Sequence, residues 1–580
     1  MKPAPFVQQA PNSRGAEAST SQELLPQLRP AQADHLTRTA LSIKKDGRWE
    51  HLSYGDLTRQ AKAFSNCLIE CGVGAGTRVS LLLESGPQWS VAFFAVIRAG
   101  ATVVPLDIKL TAAELAAVIT DAASSCLVVS SSLAETAWSV LKLTSCLKRV
   151  LTFDEGVVKD LITSSVVIAG TDYVACERMP DETALIVYTS STTGYAKGAM
   201  ISFANLVFQA ETLIRVMRVN QHDRVLSILP LHHLLELTGG LLTVLRAGGE
   251  VCFTQTLLPA EITTLMREKK VTRMVVVPLF LKLLKEGIER EIRSAPTTLK
   301  IFFSFAFAAT RLLRASWIKR LIFYPVHQRL GGRFRHFISG GAPLDAETSE
   351  FFDRLGIPVY QGYGLTEASP VVTVNTPRSN RLGSVGRALP GVEVTLLSRG
   401  NGSSELLTRG PHVMKGYNNR PDLTQQIIDA AGWLHTGDIS MADDDGFFYI
   451  RGRIKNMIVL GSGKKVHPEE VEAVLSHSAL LKDVCVLGRT SKKNVSRGHE
   501  EVCAVAVPSD LLKNRCSNDR DPLTKEIGNE VTRLARQLAP YKRPTRVHVY
   551  SGDLPKTATL KVKRALLHQW LDSAEEGRNE

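Results

Sequence analysis

The stretch "ALIVYTSSTTGYAKG", Ala184–Gly198, decides how the rest of the chain is read. An apolar run, Ala184–Tyr188, ends in five consecutive hydroxyl side chains, Thr189, Ser190, Ser191, Thr192 and Thr193, followed by Gly194 and Lys197. "NLVFQAETLIRVM", ending at Met217, then carries helical spacing. The order predicts a buried strand, a polar loop and a helix, the place where α/β proteins hold anions. Backbone N–H groups, hydroxyls and the Lys197 ammonium suit a polyphosphate. The ordinary G-x-x-x-x-G-K-[ST] phosphate loop is absent. Taken alone, the same Ser/Thr/Gly cluster reads more readily as a polar surface loop.

Moving outward, strand-like and helix-like runs alternate: "RVSLLLE", "WSVAFFAVIRAG", "TVVPL", "AELAAVITDA", "CLVVSS". Alternation of this kind predicts parallel sheets covered by helices. Between about 380 and 450 the runs shorten and turns multiply, as in "LGSVGRALPGVEVTLL", which predicts a β-rich subdomain. After about 452 a smaller α+β unit begins. "HPEEVEAVLSH" predicts a helix with Pro468 in its first turn, and "EVCAVAVPS" a strand. The fold class expected is therefore α/β: a large N-terminal domain of helix-covered sheets with a β-rich subdomain, and a small C-terminal domain. The expected boundaries are a flexible arm at 1–35, rich in Ala, Pro, Gln and Ser, a large domain at 36–452 and a small domain at 453–580.

The chain has 580 residues, 44% hydrophobic and 22% charged, as in a globular protein with a large core. Its formal net charge of +13 suits phosphate-rich ligands, acidic proteins or anionic membranes. No zinc-finger spacing, basic zipper or aromatic RNA-binding signature points to nucleic acid. Nine dispersed cysteines without a C-x-x-C pair suggest reduced thiols, most of them small core residues, and a cytoplasmic setting. The N-terminus lacks the apolar core of a signal peptide, and no apolar run reaches ~18 residues, so no transmembrane helix is expected. The C-terminus carries no lipidation or peroxisomal signal.

Four further motifs accompany the loop. "GYGLTE", Gly362–Glu367, sets an aromatic ring, a hydroxyl and a carboxylate among glycines; "HTGD", His435–Asp438, puts an acid on a tight turn. "GRIK", Gly452–Lys455, falls at the boundary, and "LPKTATLKVKR", Leu554–Arg564, supplies lysines near the C-terminus. Each alone has a plain structural reading: a helix-end charge, a turn residue, a solvated linker charge, an exposed basic strand. Five motifs in this order closely resemble the adenylate-forming superfamily of acyl-CoA synthetases, luciferases and peptide-synthetase adenylation domains, over roughly residues 40–570. "RLGGRFRHFISGGAPL" and "LPLHHLLELTGG", Leu229–Gly240, look most like the long-chain fatty acyl-CoA synthetases.

That resemblance implies two half-reactions. A carboxylate and MgATP give acyl-adenylate and pyrophosphate, and a thiol then displaces AMP. By resemblance, Thr189–Gly194 and Lys197 hold the ATP β- and γ-phosphates. Tyr363 stacks on adenine, with Gly340, Gly341 and Ala342 lining that pocket. Thr366 contacts the α-phosphate, Glu367 ligates Mg²⁺, and Asp438 and Arg453 hold the ribose. Lys561 contacts the substrate carboxylate and α-phosphate from a mobile C-terminal domain that turns about Lys455, bringing Gly461–Glu470 to the thiol tunnel. His233 matches a histidine near the acyl pocket and reads equally as a buried structural residue; His232 reads as incidental.

The loop departs from the family's usual Tyr-Thr-Ser-Gly-Thr-Thr-Gly-x-Pro-Lys-Gly at Ser191, in place of glycine, and Ala196, in place of proline. At a left-handed position, serine for glycine costs on the order of 1 kcal/mol. Activity is expected to survive with weaker ATP binding. The expected substrate is a medium- to long-chain fatty acid and the expected acceptor coenzyme A. An acidic acyl carrier protein is the rival acceptor for so basic a chain, and a non-catalytic acyl- or nucleotide-binding relative is the reading from another class. Thr310–Arg335, with seven Lys/Arg residues and no acid, suggests peripheral membrane contact through a basic amphipathic helix, or else a solvated helix pair.

Overall fold

The computed structural model describes residues 7–8, 33–154, 157–168, 171–189, 196–313, 315–399, 403–462, 464–490, 500–516, 520–556 and 562–576. Two nine-stranded sheets form the bulk of the molecule. In the first, Thr183–Thr189, Thr102–Pro105, Arg78–Leu82, Cys126–Val129 and Arg149–Asp154 run parallel at the centre, and antiparallel strands flank them. In the second, six parallel strands run from Val359–Gly364 through His336–Ser339, Arg273–Val276, Arg224–Ser227 and Glu250–Phe253 to Thr39–Lys45. Most residues of these central strands are buried, hence their Val/Ile/Leu-rich runs.

The largest core cluster joins the two sheets through the helices Tyr54–Glu70, Pro87–Arg98 and Phe203–Met217. Pro87–Arg98 is buried from Trp89 to Ile97, which explains why "WSVAFFAVIRAG" shows so little amphipathic contrast. A five-stranded sheet includes Glu393–Ser398, Ser404–Arg409, Leu434–Ala442 and Phe448–Arg453. Val7–Gln8, inside the segment expected to be a free arm, pairs antiparallel with its edge at Thr395 and Val394. Beyond Arg453 lie a two-stranded sheet and a three-stranded sheet with their own apolar core. The expected helix and strand there are Pro468–Leu475, with proline in its first turn, and Glu500–Pro508.

The crossover expected after the hydroxyl-rich loop is corrected. Thr183–Thr189 pairs antiparallel with Lys197–Ser202, Thr189 facing Lys197, so residues 190–196 join two strands. The helix begins at Phe203, where Ser202 and Asn205 form a reciprocal cap. "KGAMIS" alternates too briefly to be told from a helix start by sequence, and its pairing with the apolar strand decides it.

Candidate active site

Lys197 is placed by this hairpin. Gly198, facing Tyr188, leaves the necessary space: a β-carbon there would lie 2.7 Å from Ile186 Cγ2 and 2.8 Å from Tyr188 Cζ. Tyr188 donates to Asp121 Oδ2 at 2.5 Å, and Asn418 closes the edge through its N–H to Gly198 O at 2.7 Å. Burial holds the Lys197 ammonium below the usual lysine range; the nearby Lys455 charge adds to that, and Glu367 opposes it. Thr189 ends its strand at the mouth of the loop. Ser190, Ser191, Thr192, Thr193 and Gly194 lie outside the described residues, as does Lys561.

Asp438 is the centre of the second cluster. It is 3% exposed, on the strand Leu434–Ala442, opposite Arg453 in the antiparallel register. Tyr363 donates its hydroxyl to Asp438 Oδ2 at 2.6 Å, and Arg453 Nε sits 2.8 Å from Oδ1. Burial and the Asp438 charge push the Tyr363 hydroxyl well above the phenol range. The Asp438 carboxylate raises the Arg453 guanidinium in turn. Three residues from three motifs are thus fixed to one another across 90 positions of sequence, from Tyr363 to Arg453.

Glu367 stands in a single helical turn, Thr366–Ala368, just after the strand that carries Tyr363. Its Oε1 accepts the Tyr417 hydroxyl at 2.6 Å, and the Tyr417 ring lies 5.3 Å from Lys197 Nζ. Tyr417 therefore ties the acid of one motif to the cation of another. Its strand, Gly416–Tyr417, pairs with Lys197–Ser202, a connection the sequence reading missed. The available signal was an aromatic residue beside the Asn418-Asn419 turn. One carboxylate suits Mg²⁺, which takes few protein ligands and draws the rest from phosphates and water. Among the described residues, no group of three or more His, Cys, Asp or Glu side chains forms a self-sufficient metal site.

A cleft of about 2980 Å³ collects most of these groups. It is several times the ~300–1,000 Å³ of a small-molecule pocket, so it is an open groove. Thr189, Lys197, His233, Gly341, Ala342, Tyr363, Asp438 and Arg453 line it; Gly340, Thr366 and Glu367 fall outside its wall. Lys455 lies in the helical turn Ile454–Asn456, directly after the strand that ends at Arg453. The groove continues past it to Lys464, Lys465 and His467. The rings of His232 and His233 stand 4.2 Å apart, and burial pushes His232 down to about 4.

The AMP-binding enzyme family model matches residues 28–418, and the AMP-binding enzyme C-terminal domain model matches 470–561. The chain belongs to the AMP-binding enzyme family. Among its relatives is the long-chain-fatty-acid–CoA ligase of Escherichia coli O157:H7, 30% identical over 558 residues, 89% of each chain. FadD11 of Mycobacterium tuberculosis H37Rv is 34% identical over 311 residues; the match spans 50% of this chain and about half, 53%, of that relative. ATP-bound MatB from Rhodopseudomonas palustris shares the fold at a TM-score of 0.73 and 27% identity, covering 95% of this chain and 98% of its own. The AMP-binding enzyme cleft described above is thus set in a fold solved elsewhere with ATP in place. No helix among the described residues is long and apolar enough to cross a membrane.

Proposed function

We propose that this AMP-binding enzyme is an AMP-forming acid–thiol ligase. It activates a medium- to long-chain fatty acid with ATP and passes the acyl group to coenzyme A. The Tyr363–Asp438–Arg453 cluster, facing the same groove as Lys197, carries the reading. A buried carboxylate gripped by two donors has a fixed direction, as a partner for the paired ribose hydroxyls requires.

Thr189–Gly194 and Lys197 take the β- and γ-phosphates. Tyr363 and the 340–342 segment take adenine, Thr366 the α-phosphate, and His233 borders the acyl end. Mg²⁺, held by Glu367, would neutralise phosphate charge. A carboxylate oxygen attacks the α-phosphorus, and the bond to pyrophosphate breaks. The thiol sulfur then attacks the acyl carbon, its proton goes to solvent, and AMP leaves. Lys561 stabilises charge that builds in the first step alone, which places it on a unit that moves between steps. We place that division at 452/453 with Lys455 as hinge. The compartment proposed is the cytoplasm, consistent with nine free cysteines, and the reading extends to peripheral membrane contact through residues 310–335.

A matrix of acids from acetate to stearate crossed with coenzyme A and acyl carrier protein tests the proposal. Pyrophosphate release and thioester formation are read in parallel. The expected maximum is a medium or long acid with coenzyme A. A maximum at acetate, an aromatic acid or an amino acid overturns the fatty-acyl part. Transfer to the carrier protein alone replaces the acceptor. No pyrophosphate with any acid favours the non-catalytic reading.

A further inference from the structure

Glu469 stands in the first turn of the helix Pro468–Leu475, where an acid needs no reason beyond the positive end of the helix. Its contacts reach further. Oε1 accepts the Asn456 side-chain amide at 2.8 Å and lies 3.6 Å from Arg564 Nη2. Asn456 closes the helical turn Ile454–Asn456, one residue past Lys455. Arg564 opens the helix Arg564–Glu576, three residues past Lys561. One carboxylate oxygen therefore joins the residue after the proposed hinge to the segment after the proposed adenylation lysine.

The second oxygen faces across the proposed hinge. Glu469 Oε2 is buried with no hydrogen-bond partner among the described residues. A β-carbon at Gly452 would lie 2.7 Å from it and 3.2 Å from His467 Nδ1. Gly452 belongs to the strand Phe448–Arg453, on the other side of Lys455. The helix that carries Glu469 thus seats directly on the backbone of that strand, an approach that the missing side chain allows. The far end of the chain is held as firmly. Arg564 grips Glu472 with both terminal nitrogens, at 2.9 and 3.0 Å. Lys563 N donates to Pro555 O at 2.7 Å, and Lys556 forms a β-bridge with Val562, so the described residues flanking Lys561 are fixed to each other. Gly452, Asn456, Glu469 and Arg564 all line the groove that holds Lys197.

We propose that Glu469 is a positioning residue for adenylation. It couples the Ile454–Asn456 turn to Arg564, so that seating of the helix Pro468–Leu475 on Gly452 sets where the segment bearing Lys561 stands. The inference rests on the acid–thiol ligase reading above and adds a residue to it. A turn at Lys455 lifts Glu469 off Gly452, while its bonds to Asn456 and Arg564 travel with the moving unit. The seat is therefore specific to one arrangement of the cleft. Thiol transfer, which does not use Lys561, does not need it.

The test compares the full chain with Glu469→Ala, Glu469→Gln, Asn456→Ala and the double variant N456A/E469A. ATP–pyrophosphate exchange with the acid preferred in the matrix above, thioester formation from the synthetic acyl-adenylate, and thermal melting are read on each. Glu469→Ala should lower kcat for exchange by about ten- to a hundredfold, the scale of a small misplacement of a reacting group. KM for ATP should change by less than about twofold, because the nucleotide is held by the large part. Transfer and melting should stay close to the parent. Asn456→Ala should show the same pattern, and the double variant should lose little more than either alone. Glutamine at 469 still accepts from Asn456, so Glu469→Gln should fall between Glu469→Ala and the parent. An equal loss in both half-reactions with a lowered melt overturns the proposal and leaves Glu469 a helix-end charge that supports the fold. A parent that exchanges while Glu469→Ala matches it overturns this role alone. A parent that shows no exchange with any acid overturns the ligase reading, and this role with it.

Discussion

Asp438 is held by two donors, and removing one should be felt in nucleotide binding more than in folding. Tyr363→Phe deletes the 2.6 Å hydrogen bond and keeps the ring and the Arg453 contact. A hydrogen bond to a charged group is worth about 1.5–3 kcal/mol, so KM for ATP should rise roughly ten- to a hundredfold. Initial rates at varied ATP check this, and an unchanged KM would leave the cluster structural. Glu236 makes a different case. It is fully buried in the helix Leu235–Leu242, neither carboxyl oxygen has a hydrogen-bond partner at good geometry, and the adjacent Ser227 hydroxyl offsets burial only in part. Burial pushes its carboxyl up from 4.5 to about 8. The folded state keeps a proton that the unfolded chain releases, so this group's stability is full below pH 4.5 and is lost as pH rises toward 8. The slope is at most about 1.4 kcal/mol per pH unit. Melting from pH 5 to 8.5 should show the parent losing stability relative to Glu236→Gln; parallel curves would show that Glu236 is not the titrating group. Nothing in "LPLHHLLELTGG" announced this, because a lone acid in an apolar run gives no sign of whether it is paired.

At the scale of elements, the strand bearing Tyr363 turns back on itself with almost no clearance. A β-carbon at Gly364 would fall 1.8 Å from Pro370 O, in the strand pair where Gly364 faces Val371. Gly364→Ala must push the returning strand away, at a cost of about 1–3 kcal/mol. The expected result is a lowered melting temperature together with reduced adenylation, because the same displacement moves Tyr363 and Glu367. A variant with normal stability and rate would show that the strand yields freely. This tightness also explains what was legible beforehand. The central parallel strands are buried on both faces and announce themselves as apolar runs, and the helices announce themselves by caps and period. The hairpin Thr183–Ser202 did not, since its second strand is six residues long and polar at its start. Tyr417 was invisible for a related reason: its place depends on a two-residue edge strand pairing far along the chain, with Ala199 facing Tyr417.

Over the whole molecule, one cleft would have to serve both of the proposed half-reactions. The segments on either side of Lys561 are tied into the C-terminal part: Lys556 pairs with Asp483 at 2.5 Å, and Arg564 with Glu472 at 2.9 Å. The same region faces the large part, since the charge of Lys563 helps hold Glu114 below the usual carboxylate range, after its hydrogen bonds from Thr111. Glu114 and Lys563 line one groove with Lys197 and Tyr363. On the proposed reading, Lys561 acts in adenylation and is withdrawn for thiol transfer. Lys561→Ala should therefore lower acyl-adenylate formation by at least about a hundredfold, the scale set by removing one donor from a developing negative charge. Transfer from supplied acyl-adenylate to coenzyme A should change little. Pyrophosphate exchange measures the first step and thioester formation from the synthetic adenylate measures the second. An equal fall in both would mean that Lys561 supports the fold of the C-terminal unit, and one fixed arrangement of the cleft would then have to account for both steps.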